Sequence, residues 1–347
     1  MEARRTLHHH HPISSAIVSS AWSALSVLCV KRIFAALVAA LSLQAVCLAA
    51  AQSPVGMTHE QIEARYADEA SRFAEIDGVR LHYKDEGSGP AILLIHGSAG
   101  DVSDWDGWVE LLATHYRVVR FDLPGFGISG KIANGNYSID RSQSLIDGLM
   151  DSLGIEQFAI AGVSYGGPVA FRYAATRTER ISALVIMNSA GIEYGKQQVD
   201  AKTGEKGFYK AVTGGSVTRE FMTASLQKSF HNPALVSDAL IQRKLDMMNV
   251  EGRTEEGAIM IRQYERGDPF RVLAHVRAPV LVLWGGAEES LSQETADKFA
   301  SAVTRASAVR KVVQPGGDHM MHVEIPEPTA RIVEGFLNEF VASAPKD

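Results

Sequence analysis

Residues 162–167 read Gly162-Val163-Ser164-Tyr165-Gly166-Gly167, between an extended apolar run, Gln157–Val163, and a helix-forming run, Gly166–Thr176. Small residues two before and two after a serine let a strand turn straight into a helix while the hydroxyl projects above the sheet. The N-terminus of that helix favours negative charge developing beside the hydroxyl. A Gly-x-Ser-x-Gly string also arises in glycine-rich turns around an idle serine, so the strand before it and the helix after it carry the argument. A serine hydroxyl is too weak an acid to attack unaided. The reading therefore requires a base, and a group that orients the base, elsewhere in the chain.

Working outward, short apolar runs suited to strands occur at Arg72–Ile76, Val79–Lys84, Ala91–Ile95, Tyr116–Asp122, Ile181–Met187, Pro279–Trp284 and Ala308–Val313. Asp77-Gly78 joins the first two as a hairpin, and the later ones read as buried core strands. Helical patterns at Asp104–Ala113, Ser138–Leu153, Ser292–Val303 and Glu327–Phe340 fall between them. This alternation predicts an α/β fold with a mostly parallel central sheet and helices on both faces. From about residue 191 to 276 it lapses into polar, helix-prone sequence containing Gly214-Gly215, read as an inserted helical cap. Residues 52–347 thus form one domain with a cap.

The base is sought after the last strand, where Gly316-Gly317-Asp318-His319 places a ring at the carboxyl end of the sheet. His322 is its rival, and the pair with Glu324 offers an H-x-x-H metal reading. Zinc needs three or four ligands in fixed geometry, and no further Cys or His cluster has usable spacing, so no metal is expected. The acid should follow the penultimate strand, where Gly285-Gly286-Ala287-Glu288-Glu289 offers two carboxylates; Glu288 is taken as the acid and Glu289 as a solvated neighbour. Upstream, His96-Gly97-Ser98 follows a strand. The backbone N–H groups of Ser98 and Tyr165 are the expected oxyanion donors, and His96 is assigned to turn hydrogen bonding.

The first fifty residues differ from the rest. Two apolar stretches, 13–30 and 33–51, are separated by Lys31-Arg32, and Ala49, Ala50 and Ala51 suit a signal-peptidase site before Gln52. Residues 1–51 are therefore expected to be a signal peptide, with export to the periplasm or beyond. The alternative is a membrane anchor, since each stretch approaches the roughly 20 residues that span a bilayer. A translation start near Val30 would leave an ordinary signal peptide and place 1–30 outside the protein. Cys29 and Cys47 are the only cysteines, so a mature chain would hold no thiol in an oxidising compartment.

The chain carries 34 bases and 40 acids; without residues 1–51 these become 30 and 39, a net charge of −9. That balance, with no basic block, argues against nucleic acid as a partner.

With these residues in hand, the chain from about 72 to 341 resembles the α/β-hydrolase superfamily, in particular its esterase-like and cofactor-free haloperoxidase-like members with a helical cap. The resemblance rests on five motifs in order: His96-Gly97, Phe121-Asp122-Leu123-Pro124-Gly125-Phe126-Gly127, the turn at Ser164, Leu283-Trp284-Gly285, and His319 followed by Glu324-Ile325-Pro326. In that family the catalytic histidine stands four intervening residues before a Glu-x-Pro, which implies His319 rather than His322. The family's acid lies four residues after the tryptophan and is usually aspartate; here the position is Glu288, one methylene longer. Serine at 164 disfavours dehalogenase and epoxide-hydrolase chemistry, which use aspartate there. Met320 stands where carbon–carbon hydrolases commonly place tryptophan.

The resemblance implies a serine hydrolase acting through an acyl-enzyme on a small-molecule carboxylic ester or related acyl bond, with no cofactor. A membrane is a partner only if the leader is uncleaved. The alternatives are a carbon–carbon bond hydrolase, or a ligand receptor that keeps the fold with little turnover. Trp105 and Trp108 are placed either at the mouth of an apolar pocket or, as amphipathic-helix tryptophans more often are, in the core.

Overall fold

The computed structural model describes residues 56–192, 215–265 and 267–341. The leader read over 1–51 and residues 193–214 of the expected cap lie outside the described residues. Eight strands are present: β1 (Arg72–Ile76), β2 (Val79–Gly87), β3 (Ala91–Ile95), β4 (Arg117–Phe121), β5 (Phe158–Ser164), β6 (Ile181–Ser189), β7 (Val280–Gly285) and β8 (Val309–Gln314). They form one sheet in the order β1-β2-β4-β3-β5-β6-β7-β8. β2 runs antiparallel to β1 and β4, and every other pairing is parallel. Asp77 and Gly78 both turn left-handed, φ 48° and 75°, as a two-residue hairpin matched to strand twist requires.

Side chains alternate across the sheet and so feed two cores. From β3, Leu93 and Ile95 join one cluster while Ile92 and Leu94 join the other. The first is covered by the helices Ile139–Ser152, Gly166–Thr176 and Gln293–Ala302 through Leu149, Phe171 and Phe299. The second is covered by Asp106–Leu112 and Pro326–Phe340 through Trp108 and Phe336. Each large side chain buried this way contributes about 1.5–3 kcal/mol.

Two sequence expectations need correction, and a third, left between two readings, is decided. Ala308–Val313 reads as a buried strand, yet β8 is the edge of the sheet, paired only with β7, and Val309 is 44% exposed. A short apolar run has the same periodicity at an edge as in the middle. The single helix read over Asp104–Ala113 is a 3₁₀ turn, Val102–Trp105, followed by the helix Asp106–Leu112, because the Asp101 side chain caps the turn at Ser103 N. Trp105 and Trp108 are fully buried in the second core rather than at a mouth, with Trp108 Nε1 donating to Thr329 Oγ1 at 2.9 Å.

Between β6 and β7 the described chain is helical: Arg219–Lys228, Asp238–Met248, Arg253–Gln263 and Pro269–Leu273. Thr218, Ser237 and Asp268 cap three of these helices by accepting from backbone N–H groups of the first turn. Val217, Met222, Leu226, Ile241 and Met248 make a small core of their own, against which Ala99 and Met320 pack. The insert therefore rests on the loops after β3 and β8. Among the described residues no helix is long and apolar enough to cross a membrane.

Candidate active site

Ser164 ends β5 in a left-handed conformation, φ 52°, one residue before the helix Gly166–Thr176 begins at its cap Tyr165. A non-glycine residue held there is strained by about 1–3 kcal/mol and persists only because its surroundings fix it. The glycines do the fixing. A Cβ on Gly162 would lie 2.3 Å from Gly166 O, one on Gly166 2.4 Å from Ile95 O, and one on Gly167 1.8 Å from Ser189 Oγ. The turn therefore closes only with hydrogen at those positions.

The turn after β3 reaches the same hydroxyl. A Cβ on Gly97 would stand 2.9 Å from Ser164 Cβ and 3.5 Å from its Oγ. His96 ties that turn down: its Nε2 accepts from Leu123 N at 2.9 Å and its Nδ1 donates to Gly97 O at 2.8 Å. Ser98 lines the cavity that holds Ser164 and also a second, smaller one, where Tyr165 stands with Phe126, Met260 and Tyr264.

His319 lies in the loop between β8 and the short helix Met321–Glu324 and lines the Ser164 cavity, whose volume is about 200 Å³. Its Nδ1 is 2.5 Å from Glu288 Oε2. Glu288, in the loop after β7, is buried, and its other oxygen accepts from Ser290 N at 2.6 Å and Leu291 N at 2.9 Å. Burial alone would raise the Glu288 carboxyl, but the His319 ring and those two amides outweigh it and hold its pKa below the ordinary value. Burial alone would lower His319, and the Glu288 carboxylate reverses this, so the imidazole sits above its ordinary pKa. Glu289 is exposed to solvent.

His322 is in a different state. It is 2% exposed, its ring lies 4.7 Å from that of Trp105, and neither ring nitrogen has a partner among the described residues. Burial first, then the neighbouring His319, Lys244 and His96, push its pKa down to about 3. Glu324, the third member of the H-x-x-H reading, accepts instead from His231 N at 3.0 Å and Asn232 N at 2.6 Å. Met320 N donates to Ser229 O at 3.0 Å, so the insert is stitched to the histidine loop at three points.

Two parts of the site escape sequence reasoning. Asn188, fully buried near the end of β6 with φ 37°, accepts from Gly285 N at 2.9 Å and donates to Asp318 O at 2.9 Å and His319 O at 3.1 Å. It joins the acid's strand to the histidine's loop. A polar residue at the end of the apolar run Leu184–Met187 is the one signal that could have found it. The other is a buried charge cluster. Arg243 Nη2 bonds Asp101 Oδ1 at 2.8 Å, and Lys244 Nζ bonds Asp101 Oδ2 at 3.0 Å and Asp104 Oδ1 at 2.5 Å.

In chemical terms, a hydroxyl on a strained turn lines the same cavity as an imidazole whose Nδ1 is bonded to a buried carboxylate. Comparison with known proteins agrees with the architecture. Residues 90–326 match the family model described as the alpha/beta hydrolase fold. Over 279 residues the chain is 28% identical to the dihydrolipoyllysine-residue acetyltransferase component of an acetoin cleaving system of Pseudomonas putida, covering 78% of this chain and 70% of that protein. It is 26% identical over 288 residues to 2-hydroxy-6-oxo-6-(2'-aminophenyl)hexa-2,4-dienoic acid hydrolase of Metapseudomonas resinovorans, covering 80% and 93% respectively. Among solved structures it is similar to a membrane phospholipase A, a bacterial virulence factor, with TM-score 0.68 and 26% identity over 90% of this chain and 100% of that one. The family match over most of the chain and the sheet order that carries it make this protein a member of the α/β-hydrolase family, and an enzyme of the hydrolase kind.

Proposed function

We propose that the enzyme hydrolyses a carboxylic ester or a closely related acyl bond through an acyl-enzyme on Ser164. The observation that carries this reading is the placement of Ser164 and His319 on one cavity with Glu288 bonded to Nδ1 of the ring, which leaves Nε2 for the proton transfer proposed here. Ser164 Oγ attacks the carbonyl carbon and gives its proton to His319 Nε2. The carbonyl oxygen takes up the electron pair as an oxyanion, for which the N–H groups of Ser98 and Tyr165 are the proposed donors, each worth about 2.7–4 kcal/mol in known cases. Collapse expels the alcohol, which takes the proton from His319. Water then gives a proton to the same nitrogen and attacks the acyl carbon, and as the second tetrahedral intermediate collapses to the acid, the Ser164 oxygen leaves and takes that proton back from His319. Glu288 stays ionised and holds the ring in the required tautomer.

The solved phospholipase A supports an ester as the bond cleaved. The dienoic acid hydrolase favours a second reading, cleavage of a carbon–carbon bond beside a ketone. One panel decides between them: short and long acyl esters against a vinylogous 1,5-diketone, with labelling by a fluorophosphonate. Multiple turnover of esters by the native enzyme but not by Ser164→Ala supports the first reading. Turnover of the diketone alone supports the second, and stoichiometric labelling without turnover of either indicates a receptor. The leader pattern at 31–51 supports export with a mature N-terminus near Gln52, which N-terminal sequencing tests; recovery from membranes with 31–51 attached establishes the anchor instead.

A further inference from the structure

Part of the wall around Ser164 is polar in a way that acyl transfer does not use. Asp104, Lys244 and His322 line the same cavity as Ser164 and His319, together with Ser225 and Ser229. Lys244, the cation among the residues lining this wall, is held by Asp104 and, behind the lining, by Asp101, which also holds Arg243. Beside them His322 keeps both ring nitrogens unpartnered at 2% exposure, and Trp105 Nε1 behind it is unpartnered as well. Buried polar groups are normally bonded, and a native structure that leaves several unmet in one place invites a ligand group there.

The chemistry of that group follows from what the wall offers. An ammonium has three N–H donors, and the two recorded bonds of Lys244 occupy two of them. The neutral imidazole of His322 has one donor and one acceptor, and the carboxylate of Asp104 accepts. A group that donates and accepts at once suits this set. A carboxylate would meet an ammonium already paired with Asp104 and that carboxylate's own negative charge, and an alkyl end would leave the wall unmet.

Resting on the acyl-transfer reading, we propose that the substrate carries a free hydroxyl remote from the scissile bond, recognised at the Asp104–Lys244–His322 wall: the enzyme is selective for hydroxylated esters. Its apolar remainder lies along Met222, Leu226 and Leu291.

The test uses matched probes on the native enzyme: the 4-nitrophenyl esters of hexanoic, 6-hydroxyhexanoic and adipic acids for the acyl side, and butyl against 4-hydroxybutyl acetate for the alcohol side. A site built to bond a hydroxyl rejects the analogue lacking it by as much as about 10⁴-fold when fully enclosed. In this partly open cavity kcat/KM for the hydroxylated probe should exceed its alkyl and carboxylate counterparts by about tenfold or more in one of the two series. His322→Phe should shrink that ratio. Calorimetric binding of the same probes to Ser164→Ala reads the wall without chemistry, and there too the hydroxylated probe should bind more tightly. Equal or reversed preference in both series, or failure of every probe to bind, overturns this inference. Ester turnover without preference would do so while leaving the acyl-transfer reading intact. Preferential binding to Ser164→Ala without ester turnover by the native enzyme would uphold the wall and refute that reading.

Discussion

Glu288 with His319, and Asp104 with Lys244, each set a carboxylate oxygen 2.5 Å from a basic nitrogen beside one cavity, yet they join different parts of the molecule. The first links two loops at the carboxyl ends of neighbouring strands, β7 and β8. The second links the loop after β3 to the inserted helix Asp238–Met248. Imidazole titrates near neutrality, so the first pair can pass a proton during turnover. Burial alone would lower the Lys244 ammonium, but Asp101 and Asp104 reverse this and hold its pKa above the ordinary value, so this ammonium keeps its proton where an imidazole would titrate. Similar geometry thus makes a proton carrier in one place and a fixed joint in the other. The lesson is that distance alone does not identify a catalytic pair; the titration range of the base does.

The comparison can be broken most severely on the catalytic side. Glu288→Gln leaves His319 without its counter-charge and free to take the wrong tautomer, and kcat should fall about 10⁴-fold, as in the serine protease precedent, with the thermal midpoint changing far less. Substitution of the other pair should show the reverse: Lys244→Met strands Asp104 and half of Asp101 in the interior and should cost about 3–5 kcal/mol, read by urea denaturation. If Lys244→Met left stability unchanged, the joint would not be a joint.

Asn188→Ala sharpens the contrast by removing three hydrogen bonds that hold the two catalytic loops together. It should lower kcat about 10- to 100-fold with KM little changed, at about 1 kcal/mol per bond. A parallel loss in KM and stability would make the residue structural only. For pH, His319 must be neutral to act, and its pKa lies above the ordinary ~6.5. Activity should therefore rise with pH through a midpoint above that value, and Glu288→Gln should move the midpoint down; an acid limb that stays put in the variant would deny the coupling. Smallest of all, Glu289→Gln should change kcat by no more than a few-fold, because this side chain is solvated. A crippled Glu289→Gln beside a mild Glu288→Gln would shift the acid by one residue.

Which of these residues could be read in advance depended on where their partners lie. Ser164 was legible because its requirements are local: a strand, a glycine at each side, a helix. Chain order pointed to the loops after β7 and β8 but left His322 beside His319 and Glu289 beside Glu288, and the spacings of the resembling family favoured His319 and Glu288. Lys244 and Asn188 were not, because their partners stand 97 to 143 residues away and nothing in their own neighbourhood announces them. β8 was recognised as a strand but misplaced in depth, since an apolar run does not report how many neighbours it will have. The polar stretch after β6 announced helices without saying which core loops they would grip.

That grip limits how the two halves of the gene can be recombined. Glu324 accepts from His231 N and Asn232 N while Met320 donates to Ser229 O, so the residues just after His319 are fastened to backbone that belongs to the insert. A chimera that exchanged the insert for a relative's would bring a different backbone to those bonds and displace the histidine loop along with the specificity. In breeding new selectivities from this scaffold, the units to shuffle are therefore the insert and the segment from Met320 to Glu324 together, inherited as one block although the bonded positions stand 92 and 93 residues apart.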